Sequence, residues 1–237
     1  MGDFDDELER ARRVYSARAE NPLYARLYEP LLPANLFTVR EREWVLAELL
    51  RRSGVTSLAG LDILDVGCGG GGELRRLASL GASPERLAGI DLMPARAEAA
   101  RRILPEARIE TGSAHAMPFT DGSFDLVCQF VVFSSVVDPE MRRAMAREIL
   151  RVLRPGGTIL WYDARKARTT PDFVPISMSE IRALFPGCSI RAKPVTLGWK
   201  ATRRVVPRSR AAAHLLQALP FLRSHWAAVI EREPRAG

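Results

Sequence analysis

The sequence predicts an α/β fold in which helices cover both faces of a mostly parallel β-sheet. Two observations support this prediction: short apolar runs recur along the middle of the chain, and stretches of helical length with one apolar face separate them. The apolar runs cover residues 63–66, 87–90, 124–132 and 158–162, and the helical stretches cover residues 74–80, 95–104 and 141–153. Strands joined by helix-length segments require crossover connections, and these connections join parallel strands.

The first 54 residues have a helical pattern. Leu46, Leu49 and Leu50 recur at helical spacing, and three prolines divide the segment into about three helices. We therefore predict an N-terminal helical cap over residues 1–58 and a second domain over residues 59–237.

The ends of the helix before the last central strand are defined by the sequence. Asp138 suits the N-cap, Pro139 suits the first helical position, and the Pro-Gly pair at residues 155–156 predicts a type II turn after the helix. A later short helix is predicted to open at Ser177 or Ser179.

Two further strand candidates, residues 190–197 and 226–230, flank a helix near residues 211–219. We predict that they form an antiparallel hairpin at a sheet edge, and Pro194 favours an edge position for the first of them.

Composition excludes several classes of protein. Charged residues make up 27% and apolar residues 47% of the 237 residues, which is typical of a soluble globular chain. The longest nearly uncharged run, 126–137, is too short to span a bilayer, and the amino terminus does not resemble a secretory signal, so we predict a cytoplasmic protein. Three isolated cysteines and three histidines predict neither a disulfide framework nor a metal site.

The net charge of +7 raises the possibility of a nucleic-acid partner. Much of this charge alternates in sign along helical stretches, and only the carboxy-terminal third is locally basic. A solvated or substrate-facing surface is therefore the favoured interpretation, and a polyanion site is the alternative.

The segment from Ile63 to Gly72 is the most informative part of the sequence. An apolar strand runs directly into Gly67-Cys68-Gly69-Gly70-Gly71-Gly72, so the backbone amides of the turn can face a closely approaching ligand. Asp91 closes the next strand, where its carboxylate can accept both hydroxyl groups of a ribose. Because Gly67, Gly69 and Gly72 also fit the dinucleotide fingerprint, a nicotinamide cofactor stays open at this point.

Four ordered motifs resemble those of the class I S-adenosylmethionine-dependent methyltransferases. They are Leu-Asp-Val-Gly-Cys-Gly at 64–69, Glu-Thr-Gly-Ser-Ala-His-Ala-Met-Pro-Phe at 110–119, Ser-Phe-Asp-Leu-Val at 123–127 and Leu-Arg-Pro-Gly-Gly at 153–157. The overall sequence resembles bacterial type 11 methyltransferases of biosynthetic clusters. The resemblance implies a Rossmann-like three-layer sandwich with seven strands and an antiparallel terminal hairpin, S-adenosylmethionine as cofactor and S-adenosylhomocysteine as product.

The resemblance also implies which residues hold the cofactor. Asp65 would fix the ammonium group, the backbone of Gly67, Cys68 and Gly69 would lie against the methionine part, and Asp91 would bind the ribose. Leu92, Met93, Ser113 and Ala114 would surround the adenine, and Gln129 would face the methionine group. Ser113 departs from the family, which commonly has Asp there, so a weaker neutral acceptor replaces a carboxylate.

Methyl transfer from a sulfonium requires alignment of a nucleophile, and a hydroxyl acceptor also benefits from a base. Asp163, at the end of the fifth strand, is the candidate base or acceptor-orienting group, with turn formation as the alternative. Tyr15, Tyr28 and Tyr162 are candidates to contact the acceptor, and His225 is interpreted as structural.

These observations predict an enzyme that methylates an oxygen or nitrogen atom of a small molecule: a natural-product, glycan or metabolite intermediate. The alternatives are an RNA-modifying methyltransferase, a non-catalytic S-adenosylmethionine-binding scaffold and a nicotinamide oxidoreductase. Residues 128–131 lack the Asn/Asp-Pro-Pro-aromatic run of enzymes that methylate base amines, which disfavours nucleic acid. We expect a monomer or homodimer with a small-molecule acceptor as its partner.

Overall fold

The computed structural model describes residues 4–27, 29–166 and 170–232. Seven strands run through these residues: β1 Ile63–Val66, β2 Leu87–Asp91, β3 Arg108–Thr111, β4 Phe124–Phe130, β5 Leu153–Ala164, β6 Cys188–Leu197 and β7 Arg223–Arg232. The helices of the described ranges are α1 Asp5–Glu20, α2 Pro22–Leu27, α3 Pro33–Arg52, α4 Gly72–Ser79, α5 Pro94–Ile103, α6 Pro139–Val152, α7 Met178–Leu184, α8 Trp199–Val205 and α9 Arg210–Gln217.

All seven strands join one sheet in the order β3-β2-β1-β4-β5-β7-β6. Strands β1 to β5 are parallel, whereas β7 runs antiparallel to both β5 and β6. This confirms the predicted α/β fold, its antiparallel hairpin and the edge position of the strand that contains Pro194. The sheet edge at the carboxyl ends of the parallel strands therefore also contains the end of β6 and the start of β7.

Helix boundaries follow the predicted capping chemistry. The Asp138 carboxylate accepts hydrogen bonds from the amides of Glu140 (2.7 Å) and Met141 (3.1 Å), and Ser177 accepts one from the amide of Glu180 (3.1 Å). Both residues satisfy amides that have no partner within the helix. Of the two serines proposed for α7, Ser177 is the cap.

The buried side chains form a separate core on each face of the sheet. Along β5, Ile159 and Trp161 join the core beneath α6 and α7, whereas Leu160 and Tyr162 join the core beneath α3. This alternation is the period of a strand that is buried on both faces. Leu46 and other α3 residues belong to the same core as β1, so α3 is part of the packed sandwich. The proposed boundary between residues 58 and 59 stays a prediction.

The structure differs from the sequence prediction in four elements. β4 ends at Phe130 rather than residue 132 because Val131 has φ 60°, outside the extended region. Residues 155–157 lie within the bounds of β5, but the register with β4 jumps from Leu153 to Thr158 there and Gly156 has φ 77°, as the predicted type II turn requires at that position. Strand β3 and helix α8, four and seven residues long, were not predicted as separate elements. No helix within the described ranges is long and apolar enough to span a membrane.

Candidate active site

A cavity of about 1200 Å³ lies at the sheet edge where the parallel strands end. Its wall includes Gly67 after β1, Asp91 of β2, Val131 after β4, Thr196 of β6 and His225 of β7. In an open α/β sheet this edge is where ligands bind. Helices α1, α2 and α3 and the segment around α8 contribute further wall residues, and so do α4, α5 and α6.

The glycine-rich turn presents bare backbone to this cavity. Gly67 has φ 72° and Gly69 has φ 56°, conformations that side chains rarely adopt. A Cβ atom on Gly67 would lie 2.5 Å from a Val132 methyl group, and one on Gly69 would lie 2.5 Å from the Arg96 guanidinium. Side chains at these positions would therefore strain the backbone and fill the space beside it.

Asp91 is fixed in place by backbone amides. Its Oδ2 accepts a hydrogen bond from the amide of Gly69 (2.8 Å), and its Oδ1 accepts one from the amide of Met93 (2.9 Å). The Arg96 guanidinium lies 3.9 Å from Oδ2. Each carboxylate oxygen keeps a second lone pair, so Asp91 can still accept two hydroxyl groups of a ligand.

Asp65 is a buried carboxylate at the end of β1. No described residue hydrogen-bonds to its Oδ1. Burial raises the pKa of Asp65 well above its usual range, and the nearby Glu73 and Asp91 raise it further. A cationic group nearby would relieve both effects. Asp65 does not itself line the cavity. An ammonium group in the cavity would therefore interact with Asp65 through water or through the glycine turn.

The residues predicted to surround adenine divide into two groups. Leu92, Ser113 and Ala114 line the cavity, and Ser113 Oγ lies 2.7 Å from Nδ1 of His115. Met93 contributes its backbone amide to Asp91, but it is absent from the cavity wall. These positions fit an adenosine ligand that enters beside Asp91.

Cys68 takes part in the glycine turn through its backbone. Its amide donates a hydrogen bond to the carbonyl of Ile90 (3.0 Å). Its thiol is buried against Gly89, and a Cβ atom added to Gly89 would lie 2.7 Å from the Cys68 Sγ. Burial raises the pKa of this thiol. Its side chain is therefore not in contact with the cavity.

Gln129 and Asp163 face away from the cavity. The Gln129 amide donates to the carbonyl of Tyr162 (3.5 Å) and accepts from the amide of Val132 (3.2 Å). Oδ2 of Asp163 accepts from the amides of Phe133 (3.0 Å) and Ser134 (3.3 Å), and neither Gln129 nor Asp163 lines the cavity. The catalytic role of Asp163 and the cofactor contact of Gln129 stay predictions, and the geometry favours positioning roles for both.

The buried Asp163 carboxyl should make stability depend on pH. Burial raises its pKa to about 6 from 3.8, so the folded state binds this proton more tightly than the unfolded state. Between these two values the contribution of Asp163 to stability falls as pH rises, by on the order of 2–3 kcal/mol. We expect the difference in unfolding free energy between wild type and Asp163→Asn to shift by that amount from about pH 4 to about pH 7 in urea titrations. A difference that stays constant with pH would contradict this assignment.

A second polar group lies where β5, β6 and β7 meet the cavity. The Tyr162 hydroxyl lies 2.8 Å from Thr196 Oγ1, and the Tyr162 ring stacks on His225 with centroids 4.7 Å apart. Ser224 Oγ lies 2.9 Å from Nδ1 of His225. Thr196 has φ 63°, a strained conformation for a β-branched residue, and this backbone supports the hydroxyl pair.

Burial and the nearby Arg42 guanidinium affect the pKa values of Tyr162 and His225 in this cluster. The Arg42 guanidinium lies 5.2 Å from the ring centres of Phe130 and Tyr162. Burial and, to a smaller extent, the Arg42 charge together lower the pKa of His225 to about 4, so the imidazole is neutral at neutral pH. Burial raises the pKa of Tyr162 to about 12. Sequence analysis identified Tyr162 but missed Arg42, Thr196 and the cavity position of His225.

The tyrosines proposed for the N-terminal helices have different outcomes. Tyr15 of α1 lines the cavity, and its ring lies 5.0 Å from the Arg96 guanidinium, which also borders the glycine turn. Tyr15 therefore occupies a position suited to contact a ligand. Tyr28 lies outside the described residues.

Comparison with known proteins matches residues 64–161 to a family described as a methyltransferase domain. Residues 64–161 belong to the methyltransferase domain family. This domain runs from β1 into β5 and contains the glycine turn, Asp91 and the segment around Ser113. Tyr162, Thr196 and His225 lie beyond the matched range, so the family match concerns the cofactor side of the cavity.

Relatives of the methyltransferase domain are similar over part of their length. A sterol 4-C-methyltransferase of Caenorhabditis elegans is 34% identical over 44% of the chain and 31% of that protein. A 2-methyl-6-phytyl-1,4-hydroquinone methyltransferase of Synechocystis is 37% identical over 44% of the chain and 32% of that protein. The chain thus spans about a third of the length of these curated relatives.

Solved structures share the fold of the methyltransferase domain. An S-adenosylmethionine-dependent methyltransferase of Mesorhizobium loti superimposes with a TM-score of 0.57 at 18% identity, covering 81% of the chain and 98% of that structure. At this identity the likeness shows the fold alone.

Proposed function

We propose that this chain binds S-adenosylmethionine and transfers its methyl group to an oxygen or nitrogen atom of a small-molecule acceptor. The observation that carries the proposal is the pairing of a bare glycine turn with Asp91, whose oxygens are both oriented by backbone amides. Oδ1 of Asp65, which has no hydrogen-bond partner among the described residues, lies behind this turn and supports a ligand with an ammonium group. The carboxylates and bare turn thus fit the amino-acid and ribose parts of the cofactor.

The cofactor supplies an activated methyl group on a positively charged sulfur. The chain must hold an acceptor atom in line with that methyl and keep water out. Helices α1 to α3 wall the cavity above the strand ends, with Tyr15 and Val39 among the wall residues. Alignment of the acceptor can contribute many kcal/mol of the rate enhancement, so little further chemistry is required.

His225 is the residue best placed to receive a proton from a hydroxyl acceptor. The carboxylates on the described cavity wall are occupied: Glu7 binds Arg10, Glu43 binds Arg76, and Asp91 binds two amides. The His225 imidazole is neutral, and none of the described residues bonds to its Nε2. We assign it the role of proton acceptor and assign Asp163 the role of holding the turn after β4.

The acceptor class follows from the remaining cavity walls. Leu36, Val39, Phe130, Leu197 and Trp199 give this side of the cavity an apolar surface. A sterol and a phytyl hydroquinone appear in the names of the two relatives above, and both have extended apolar bodies. We therefore favour a natural-product or metabolite intermediate with an apolar body over a glycan.

Calorimetry tests the cofactor part of the proposal. We expect S-adenosylmethionine and S-adenosylhomocysteine to bind with micromolar or tighter affinity, and NAD to give no heat at the same concentrations. Absence of binding by both sulfur nucleosides would overturn the proposal, and a response to NAD would favour the oxidoreductase alternative.

Isotope transfer tests the chemical part. Incubation with S-adenosylmethionine carrying a ¹³C-methyl group and a panel of apolar phenols, hydroxy acids and amines should yield a labelled product. Its carbon shift in NMR distinguishes methyl on oxygen, nitrogen and carbon. Cofactor binding without transfer to any acceptor, including RNA, would favour the scaffold alternative.

A further inference from the structure

Exposed apolar side chains concentrate on two segments of the chain. Among the described residues, eleven large hydrophobic side chains are exposed, and eight of them lie either between the start of α2 and the first turns of α3 or between α8 and residue 222. The eight are Leu23, Leu27, Leu31, Leu36, Trp199, Leu215, Leu219 and Phe221. We call this set the apolar rim. A concentration of this kind marks an interaction surface rather than scattered surface residues.

The two segments meet at the mouth of the cavity. Leu27, Leu36 and Trp199 are exposed and also line the cavity, so they lie at its opening. Arg203 of α8 donates a hydrogen bond to the carbonyl of Leu27 (2.6 Å), which joins the two segments directly.

Helix α9 extends the rim on one side. It packs on α3 through Phe37 and His214, whose ring centres lie 4.9 Å apart. Leu215 belongs to α9, whereas Leu219 and Phe221 follow the end of the helix at Gln217. Leu215 is 74% exposed and Phe221 is 64% exposed, so both side chains are open to solvent.

Positive charge accompanies the part of the apolar rim that lies between α8 and residue 222. No aspartate or glutamate occurs between Glu180 and Glu231. Lys200, Arg204, Arg208 and Arg210 are exposed in this segment, and no described carboxylate pairs with them. The combination of exposed Leu, Trp and Phe with unpaired Lys and Arg is the chemistry that binds an anionic lipid surface.

The same charges disfavour a second copy of this chain as the occupant. A twofold interface would place one protomer's basic segment against its partner's. Like charges brought together in this way repel each other. An anionic bilayer instead attracts these charges and accepts the apolar side chains.

We propose that the apolar rim and its surrounding cations dock this chain onto anionic lipid bilayers, with the cavity mouth facing the membrane. The cavity would then receive acceptors that dissolve in the bilayer. This second statement depends on the proposed methyl transfer, whereas docking itself does not.

Vesicle sedimentation tests the docking. The protein should bind vesicles of phosphatidylcholine mixed with phosphatidylglycerol at least about tenfold better than vesicles of phosphatidylcholine alone. Arg204→Ser combined with Arg208→Ser should weaken binding by about 20-fold, because each cation near an anionic surface contributes about fivefold. Leu215→Ser combined with Phe221→Ser should weaken it by about tenfold. All four positions lie off the cavity wall.

Matched controls come from other surfaces. Leu80 is 59% exposed at the end of α4 and lies outside the apolar rim, and Arg147 is exposed on α6 without an ion pair to a described residue. Leu80→Ser and Arg147→Ser should leave vesicle binding unchanged. S-adenosylhomocysteine calorimetry on every variant should give the wild-type affinity, which separates a failure of docking from a failure of the proposed function.

Four outcomes would overturn the docking proposal. Equal binding to neutral and anionic vesicles would show that the cations do not drive docking. If the control variants lost as much vesicle binding as the rim variants, the docking surface would not be the apolar rim. If sedimentation velocity showed a dimer that Leu215→Ser with Phe221→Ser dissociates, while vesicle binding stayed unchanged, the rim would be an interface between two copies. Tight RNA binding without vesicle binding would assign the cations to nucleic acid.

Discussion

Asp91→Asn should weaken the binding of S-adenosylhomocysteine by about 100-fold or more. Hydrogen bonds to a charged acceptor contribute about 1.5–3 kcal/mol each, and the ribose offers two hydroxyl groups. The amide also cannot reproduce the carboxylate, because backbone amides of Gly69 and Met93 donate to the two different oxygens. The side-chain nitrogen of Asn would face one of these donors and move the group out of position.

Calorimetry on Asp91→Asn and on Asp121→Asn measures this effect. Asp121 is an exposed carboxylate that pairs with Arg151 (2.7 Å), away from the cavity wall, so its amide variant should bind the ligand like wild type. Circular dichroism should show both variants folded. An Asp91→Asn variant that is folded and binds within about threefold of wild type would show that the ribose lies elsewhere.

The cofactor side of the cavity could be predicted from sequence because its parts are local. A strand, a run of glycines and a helix follow each other between residues 63 and 79, and turn chemistry requires glycine at positions such as Gly67. Asp91 follows from the same logic, because it closes the adjacent parallel strand. The sheet edge that joins these parts is the general ligand site of the fold.

The acceptor side could not be predicted in the same way because distant segments build it. β7 lies between β5 and β6 and runs antiparallel to both, so the start of β7 reaches the edge where β5 ends. His225 enters the cavity wall for this reason, although its position in the sequence indicates only a strand start. Arg42, which contacts the Tyr162 ring, belongs to α3 and precedes Tyr162 by more than a hundred residues in the sequence.

Asp163 shows how a shift of one residue changes a prediction. The sequence places Tyr162 and Asp163 together at the end of β5, and both look equally suited to the site. Neighbouring side chains of a strand point to opposite faces. Tyr162 lines the cavity, whereas the Asp163 carboxylate binds the amides of Phe133 and Ser134. Only the packing of the sheet decides which of the two residues faces the ligand.

Trp161, the residue next to this pair, should produce the largest loss of stability. Its side chain is fully buried, with ring centres 4.6 Å from Phe133 and 5.7 Å from Phe185. Removing a buried tryptophan side chain costs about 3–5 kcal/mol through lost burial and the resulting cavity. The buried Nε1 of Trp161 has no hydrogen-bond partner among the described residues, so its removal returns about 1 kcal/mol or more.

We therefore expect Trp161→Ala to lower the free energy of unfolding by about 3 kcal/mol in urea titrations at neutral pH. Trp161→Phe keeps an aromatic ring and removes the unpaired nitrogen, so its loss should stay below about 1.5 kcal/mol. Trp44, 77% exposed on α3, provides the control, and Trp44→Ala should change stability by about 0.5 kcal/mol or less. Equal losses of unfolding free energy at positions 161 and 44 would contradict the buried packing of Trp161.

Trp161 packs against Phe133, and the neighbouring Val132 lines the cavity. Trp161→Ala should therefore also weaken cofactor binding, whereas Trp161→Phe should not.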